Sequence, residues 1–227
     1  MPRGHFAPEV FRFLEELKGH NDREWFARNK ARYERDVRDP MLRFIGDLAE
    51  PLRRISPAIV ADPRPVGGSL FRIHRDTRFS KDKSPYKTHM GAFFRHRAAR
   101  DVHAPGFYLH LEPGRVFAGA GLWRPDSPAR QRIRTAIVDN AGLWRKITRG
   151  RAFRAAGSLE GESAKRPPRG FDPEHPLIED LKRKDVTVIA RWDENEALRP
   201  AFLQRYLRFC RATAPLNEFL ARALDLP

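Results

Sequence analysis

Gly106-Phe107-Tyr108-Leu109-His110-Leu111, followed by Glu112-Pro113-Gly114 and then Arg115-Val116-Phe117-Ala118-Gly119-Ala120-Gly121-Leu122-Trp123, is the stretch that decides the fold. Phe107, Leu109 and Leu111 alternate with Tyr108 and His110, the period-two pattern of a strand with one apolar and one polar face. A Pro-Gly turn comes next. On the return leg Val116, Ala118, Ala120 and Leu122 share one side, and Phe117, Gly119, Gly121 and Trp123 share the other. The pattern predicts a β-hairpin. Glycines inside a strand mark a bulge or a close approach by backbone or ligand. Gly119-Ala120-Gly121 is not a phosphate loop, because it lacks both the Gly-Lys-Ser/Thr ending and the full spacing of a dinucleotide fingerprint.

Outward from the hairpin, residues 90–94 read as a short strand and 95–105 as an exposed connection. Residues 185–192 read as a strand with Val186, Val188, Ala190 and Trp192 on one face. Both ends of the chain are helical. Val10, Phe11, Leu14 and Leu17 follow Pro8 at helical spacing until Gly19, and Asn21 with Glu24 makes a capping box for a second helix. Asp39-Pro40 starts a third, with Leu42, Ile45, Leu48, Leu52 and Ile55 as its stripe. Asp126 or Ser127 caps a helix whose buried side is Ile133, Ile137, Trp144 and Ile147. Asp193 with Glu196 caps another, and Phe202, Tyr206, Phe209 and Thr213 line up in the last, which Pro215 kinks or restarts. Residues 157–176, with several Pro and Gly, form a long polar loop. The expectation is a single α+β domain over 1–227, with a mainly antiparallel central sheet flanked by N-terminal and C-terminal helices.

The composition supports a folded globule: 227 residues, 41% hydrophobic, with 16 Phe and 4 Trp. A single cysteine, Cys210, excludes an intrachain disulfide and a cysteine-rich zinc site. The N-terminus has no signal-peptide core and no apolar run is long enough to cross a bilayer, so no membrane partner is assigned and cytoplasmic residence is expected. The net charge of +15 points toward a polyanionic partner. It is spread over nearly every segment, and 35 of the 44 basic residues are Arg, so compositional bias explains it as readily as nucleic-acid binding does.

The densest charge lies between Arg72 and Lys87: Arg72, Arg75, Arg78, Lys81, Lys83 and Lys87 against Asp76 and Asp82, with Phe79 and Tyr86 interleaved. Phe71 and Ile73 would face one side of a strand, Arg72 and His74 the other. Arg75 then falls on the apolar side, where a guanidinium needs a carboxylate or an anion. Arginine forks suit phosphate or carboxylate, and lysine supplies a mobile point charge. The same residues also suit an ion-pair network that braces a loop, and from the residues alone the two readings stand equal. The eight histidines form no helical metal pair; His74, His89 and His110 with an acid such as Asp76 could meet in three dimensions, but the spacing gives that no support, so neither a metal nor a cofactor is assigned. Cys210, within an apolar helix, reads as packing.

The run Arg72-x-x-Arg75-Asp76-x-Arg78-Phe79-x-x-Asp82-Lys83-x-x-Tyr86 resembles the signature of an uncharacterised bacterial and fungal domain-of-unknown-function family. The similarity extends to Arg23-Glu24-Trp25-Phe26, to the hairpin and to 165–171. It implies that the basic stretch is the family's hallmark and carries over no activity. Three hypotheses follow. The first is a site for a phosphorylated or other anionic small molecule, or a nucleotide, with Arg72, Arg75, Arg78 and Lys83 as cationic ligands. Asp82, Tyr86, Lys87 and Tyr108 complete that set, and Asp76 or His110 would be the general base if the protein is an enzyme. The second is a non-catalytic nucleic-acid module. In the third the motif is an internal salt-bridge network.

Overall fold

The computed structural model describes residues 4–78, 80–98 and 104–227. Its centre is the expected hairpin. β3 (Gly106–Glu112) and β4 (Arg115–Leu122) pair antiparallel from Gly106↔Gly121 to Glu112↔Arg115, so Pro113 and Gly114 (φ +74°) form a two-residue turn. Around it the sheet runs β1-β2-β3-β4-β6-β5, with every neighbouring pair antiparallel. The added strands are β1 (Ile59–Val60), β2 (Met90–His96), β5 (Ser158–Glu160) and β6 (Val186–Trp192).

Strand register sorts the side chains onto two faces. Ala92, Phe94, Phe107, Leu109, Leu111, Val116, Ala118, Ala120, Leu122, Val186 and Val188 are all buried on one of them. The helices cover that face. α9 (Phe202–Ala223) lies across β4 and packs on α3 (Asp39–Ile55), while α1 (Glu9–Gly19) reaches β3. Val10, Phe13, Leu14 and Leu17 from α1 and Phe44, Ile45 and Leu48 from α3 enter the same core as Tyr206, Leu216 and Leu220 from α9. Each such side chain contributes about 1.5–3 kcal/mol by leaving water. The helices at both ends therefore need the central strands. The molecule is an α+β domain as expected.

The differences from the expected elements have local causes. α2 (Arg23–Tyr33) is capped by Asp22, whose carboxylate accepts from Trp25 N–H at 2.8 Å, and not by Asn21. The chain does not break before Asp39: a π-helical turn (Glu34–Arg38) joins α2 to α3, with Pro40 in the first turn of α3. The helix expected to bury both Ile133 and Trp144 is two, α4 (Ser127–Asp139) and α5 (Ala141–Thr148), and Asp126 caps the first. Its successor α6 (Arg151–Ala156) leads into β5, an edge strand inside the long polar loop. Past α7 (Ile178–Leu181) and β6, Asp193 and Glu196 make the expected capping box of α8 (Glu194–Leu198). Pro215 sits inside a continuous α9.

Candidate functional site

The basic stretch is the outer part of a long irregular hairpin. Residues 69–75 run antiparallel to 85–93, tied by Phe71 N–H to the Gly91 carbonyl (2.9 Å), Lys87 N–H to Ile73 (2.8 Å) and Arg75 N–H to Pro85 (2.8 Å). Residues 69–71 thereby extend the β1 edge of the sheet alongside β2, and 76–84 form the tip. Tyr86 faces inward, stacked on Phe26 of α2 with ring centroids 4.0 Å apart. Its backbone is bracketed by one side-chain amide: Asn21 Nδ2 donates to the Tyr86 carbonyl and Tyr86 N–H donates to Asn21 Oδ1, both at 3.0 Å.

At the tip the charges meet one another. Asp76 accepts from the Arg78 guanidinium (2.7 and 3.0 Å) and from Arg78 N–H, which pulls its carboxyl down to about 2. Asp82 accepts from the Ser84 hydroxyl and N–H and from Arg75, and is held well below the usual carboxylate range. Arg75 thus has the carboxylate partner that its position on the apolar side demanded. Lys83 Nζ donates to the Thr77 carbonyl at 2.9 Å. Arg72, Asp76, Arg78, Asp82 and Lys83 are exposed, and none of them lines the cavity described next. Phe79 lies outside the described residues, as do 99–103 of the connection expected at 95–105.

That cavity, of about 530 Å³, lies on the sheet's second face. Register places the side chains of His110, Phe117 and Arg191 in one row across the strands, and those of Phe93, Tyr108 and Ile189 with Gly119 in the next. Gly119 is the floor. A Cβ there would make only van der Waals contacts, with Ile189 Cδ1 at 3.4 Å and Tyr108 Cβ at 3.7 Å. Phe71 and Phe93 form one wall, Ile189 and Thr187 another, and Trp123, 57% exposed, stands at the rim. Gly121 (φ +113°) is a position that only glycine takes without strain, and its N–H donates to the buried Asn217 side chain at 2.9 Å. Two arginines reach the rim near His110: Arg115, over the Phe117 ring at 5.1 Å, and Arg191, paired with Glu160.

Tyr108, His110 and Glu112 project from alternate positions of β3 and form a chain of hydrogen bonds. His110 Nε2 is 3.0 Å from Glu112 Oε2, and His110 Nδ1 is 3.0 Å from the Tyr108 hydroxyl. Because a carboxylate only accepts, the ring proton belongs on Nε2, and Nδ1 accepts from Tyr108 O–H. Gly91 makes this geometry possible. The Tyr108 ring lies across it, and a Cβ at 91 would sit 2.5 Å from the Tyr108 hydroxyl oxygen. His89, just before β2, stacks on His110 with centroids 4.5 Å apart. Burial pushes the His89 imidazole down to about 4 and lowers that of His110, against the raising effect of its bond to Glu112. Both rings are neutral at pH 7. Burial also raises the Tyr108 phenol, keeping it protonated. Lys87 is half-buried with Nζ 5.3 Å from the Phe71 ring centre, and its pKa is lowered by burial and then by Arg72.

Of the residues singled out from the sequence, the structure brings Tyr108 and His110 together in the cavity, with Lys87 behind one wall. It leaves Asp76, Arg78, Asp82 and Lys83 at the hairpin tip and Arg72 and Arg75 on the arm leading to it, and turns Tyr86 into the core. His89 entered only as one of several histidines that could meet around a metal, and Glu112, Arg115 and Arg191 were not singled out. The signal that could have found Glu112 is the period-two triplet Tyr108-x-His110-x-Glu112, three polar side chains on one strand face. No helix among the described residues is long and apolar enough to cross a membrane.

No curated protein matches the chain. The family signal runs across both regions: residues 9–219, covering the helices, the basic hairpin and the cavity-bearing sheet, match the family described as "Conserved hypothetical protein (DUF2461)", and the chain belongs to that family.

Proposed function

We propose that the protein binds a small molecule with a flat apolar part and an anionic group, in the cavity on the second face of the sheet. The observation that carries this reading is the cavity's composition. Aromatic walls surround a glycine floor, and a few polar groups converge at one end, the pattern of a ligand site. The apolar part lies over Gly119 between Tyr108, Phe117 and Trp123. The anionic group, phosphate or carboxylate, faces Arg115 and Arg191, whose planar guanidinium groups pair with either. The net charge of +15 draws anions toward the surface at long range. The ligand class is the one expected from the sequence, and of the residues expected to hold it this reading keeps Tyr108 and His110.

The test is a thermal-shift and calorimetric panel of nucleotides, sugar phosphates and aromatic carboxylates on the wild-type chain and on Gly119→Leu. The variant fills the floor from a position with room for a Cβ, so its own Tm should hold while the ligand response disappears. A ligand that binds both proteins equally places binding elsewhere and rejects the reading.

A further inference from the structure

We propose that His89, His110 and Glu112 form a binding site for a divalent transition ion of the zinc class, with one coordination position open to the cavity. One ligand atom from each of these residues lies within 4.8 Å of the other two. Ligand atoms around an ion with bonds of about 2.0–2.2 Å are roughly 2.8–3.1 Å apart in octahedral and roughly 3.3–3.6 Å apart in tetrahedral geometry. His110 Nε2 and Glu112 Oε2, at 3.0 Å, already meet the first spacing. Binding requires the His110–Glu112 hydrogen bond to open around the ion and the His89 ring to tilt out of its stack and turn a nitrogen toward it. Two imidazoles and one carboxylate leave a fourth position for water or substrate, the arrangement of catalytic zinc sites.

The surroundings support the ligand set. The Tyr108 hydroxyl at His110 Nδ1 is the outer partner that ligating histidines characteristically have, and Gly91 gives the Tyr108 ring its place. When the ion takes Nε2, that nitrogen's proton passes to solvent water, Nδ1 takes one up from water and donates it to the Tyr108 oxygen, and the Tyr108 hydroxyl proton rotates away from Nδ1. The imidazole changes tautomer without changing charge. Arg115 Nη1 is 3.8 Å from the same Glu112 oxygen on a side chain 68% exposed, a competing cation able to swing into solvent. The ligand set stands on its own side chains, and only the role of the open position rests on the proposed cavity site.

The experiment is titration of the metal-free chain with Zn²⁺ by calorimetry, and with Co²⁺ by visible absorption. One equivalent should bind, with d–d bands of a four- or five-coordinate ion, and nitrogen-15 NMR should show the His110 ring proton moving from Nε2 to Nδ1. Glu112→Gln and His89→Phe keep the side-chain shape and the ring stack respectively, so both should fold, and each should weaken binding by roughly a hundredfold or more. Tyr108→Phe should weaken it by about tenfold, and Arg115→Ala should tighten it. No stoichiometric binding, or binding unchanged in Glu112→Gln and His89→Phe, overturns the site. Gly119→Leu separates the two proposals, since it should abolish the small-molecule response and leave the Co²⁺ spectrum intact.

Discussion

The hairpin tip and the second face of the sheet are two polar regions built in opposite ways. The tip has many charges close to water, and two ion pairs tie residues two to seven apart: Asp76 with Arg78, Arg75 with Asp82. The sheet face has few polar groups, set among aromatic rings, and its chain from Tyr108 through His110 to Glu112 is largely out of water. Exposed ion pairs contribute little because solvent screens them, whereas polar groups in a low-dielectric site interact strongly. Charge density in a sequence therefore marks where charge is, and burial decides where it can do chemistry.

The largest effect that would break this contrast is at Gly91. Gly91→Val should push the Tyr108 ring aside, remove its bond to His110 and destabilise the fold by about 1–3 kcal/mol in chemical denaturation, the range for overpacking. Wild-type stability in that variant would mean the sheet face is looser than its geometry implies. Next comes the anchor of the hairpin. Asn21→Ala leaves the half-buried N–H and carbonyl of Tyr86 without their partner and should cost about 1–2 kcal/mol, with hydrogen exchange faster through 84–88. The smallest effects belong to the tip. Asp76→Ala should leave Tm unchanged, because both partners are exposed. A sharp loss of Tm would instead restore the reading of the motif as a structural salt-bridge network.

The tip also has a pH signature. The folded Asp76 carboxyl titrates near 2, below its ordinary value of 3.8. What this exposed, solvent-screened pair adds is too small to move Tm; it is present above about pH 4 and lost as pH falls toward 2. An NMR titration of the Asp76 side chain should give a midpoint near 2 in the wild type, and Arg78→Ala should move it up toward 3.8. A wild-type midpoint at the ordinary value would show that the Asp76–Arg78 pair does not persist in solution.

Much of the fold was legible because it rests on short-range rules. Alternation from Phe107 to Leu122 fixed both faces of the hairpin, and Asp193 with Glu196 fixed a helix start. The misplaced cap at Asn21 has a nonlocal cause. Its side chain is committed to Tyr86, 65 residues away, and Asp22 takes the capping role. β5 escaped notice because a three-residue edge strand carries too little alternation to stand out from a polar loop. The site was half legible. Tyr108 and His110 lay on a recognisable polar face. His89 reaches them only through the register that sets Gly91 opposite His110, which no spacing within either segment reveals.

The sheet's outline has a consequence for the molecule's behaviour in concentrated solution. Its inner strands are seven or eight residues long, but the two outermost are β1 with two residues and β5 with three. Residues 69–71 continue the β1 side only as a separate, irregular segment, so a strand from another chain seeking to add to either side meets a short or broken ladder, with Arg95 and Glu160 beside it. Short edges of this kind are how natural sheets resist edge-to-edge aggregation, and they let this sheet keep an aromatic cavity on one face without inviting fibril-like growth.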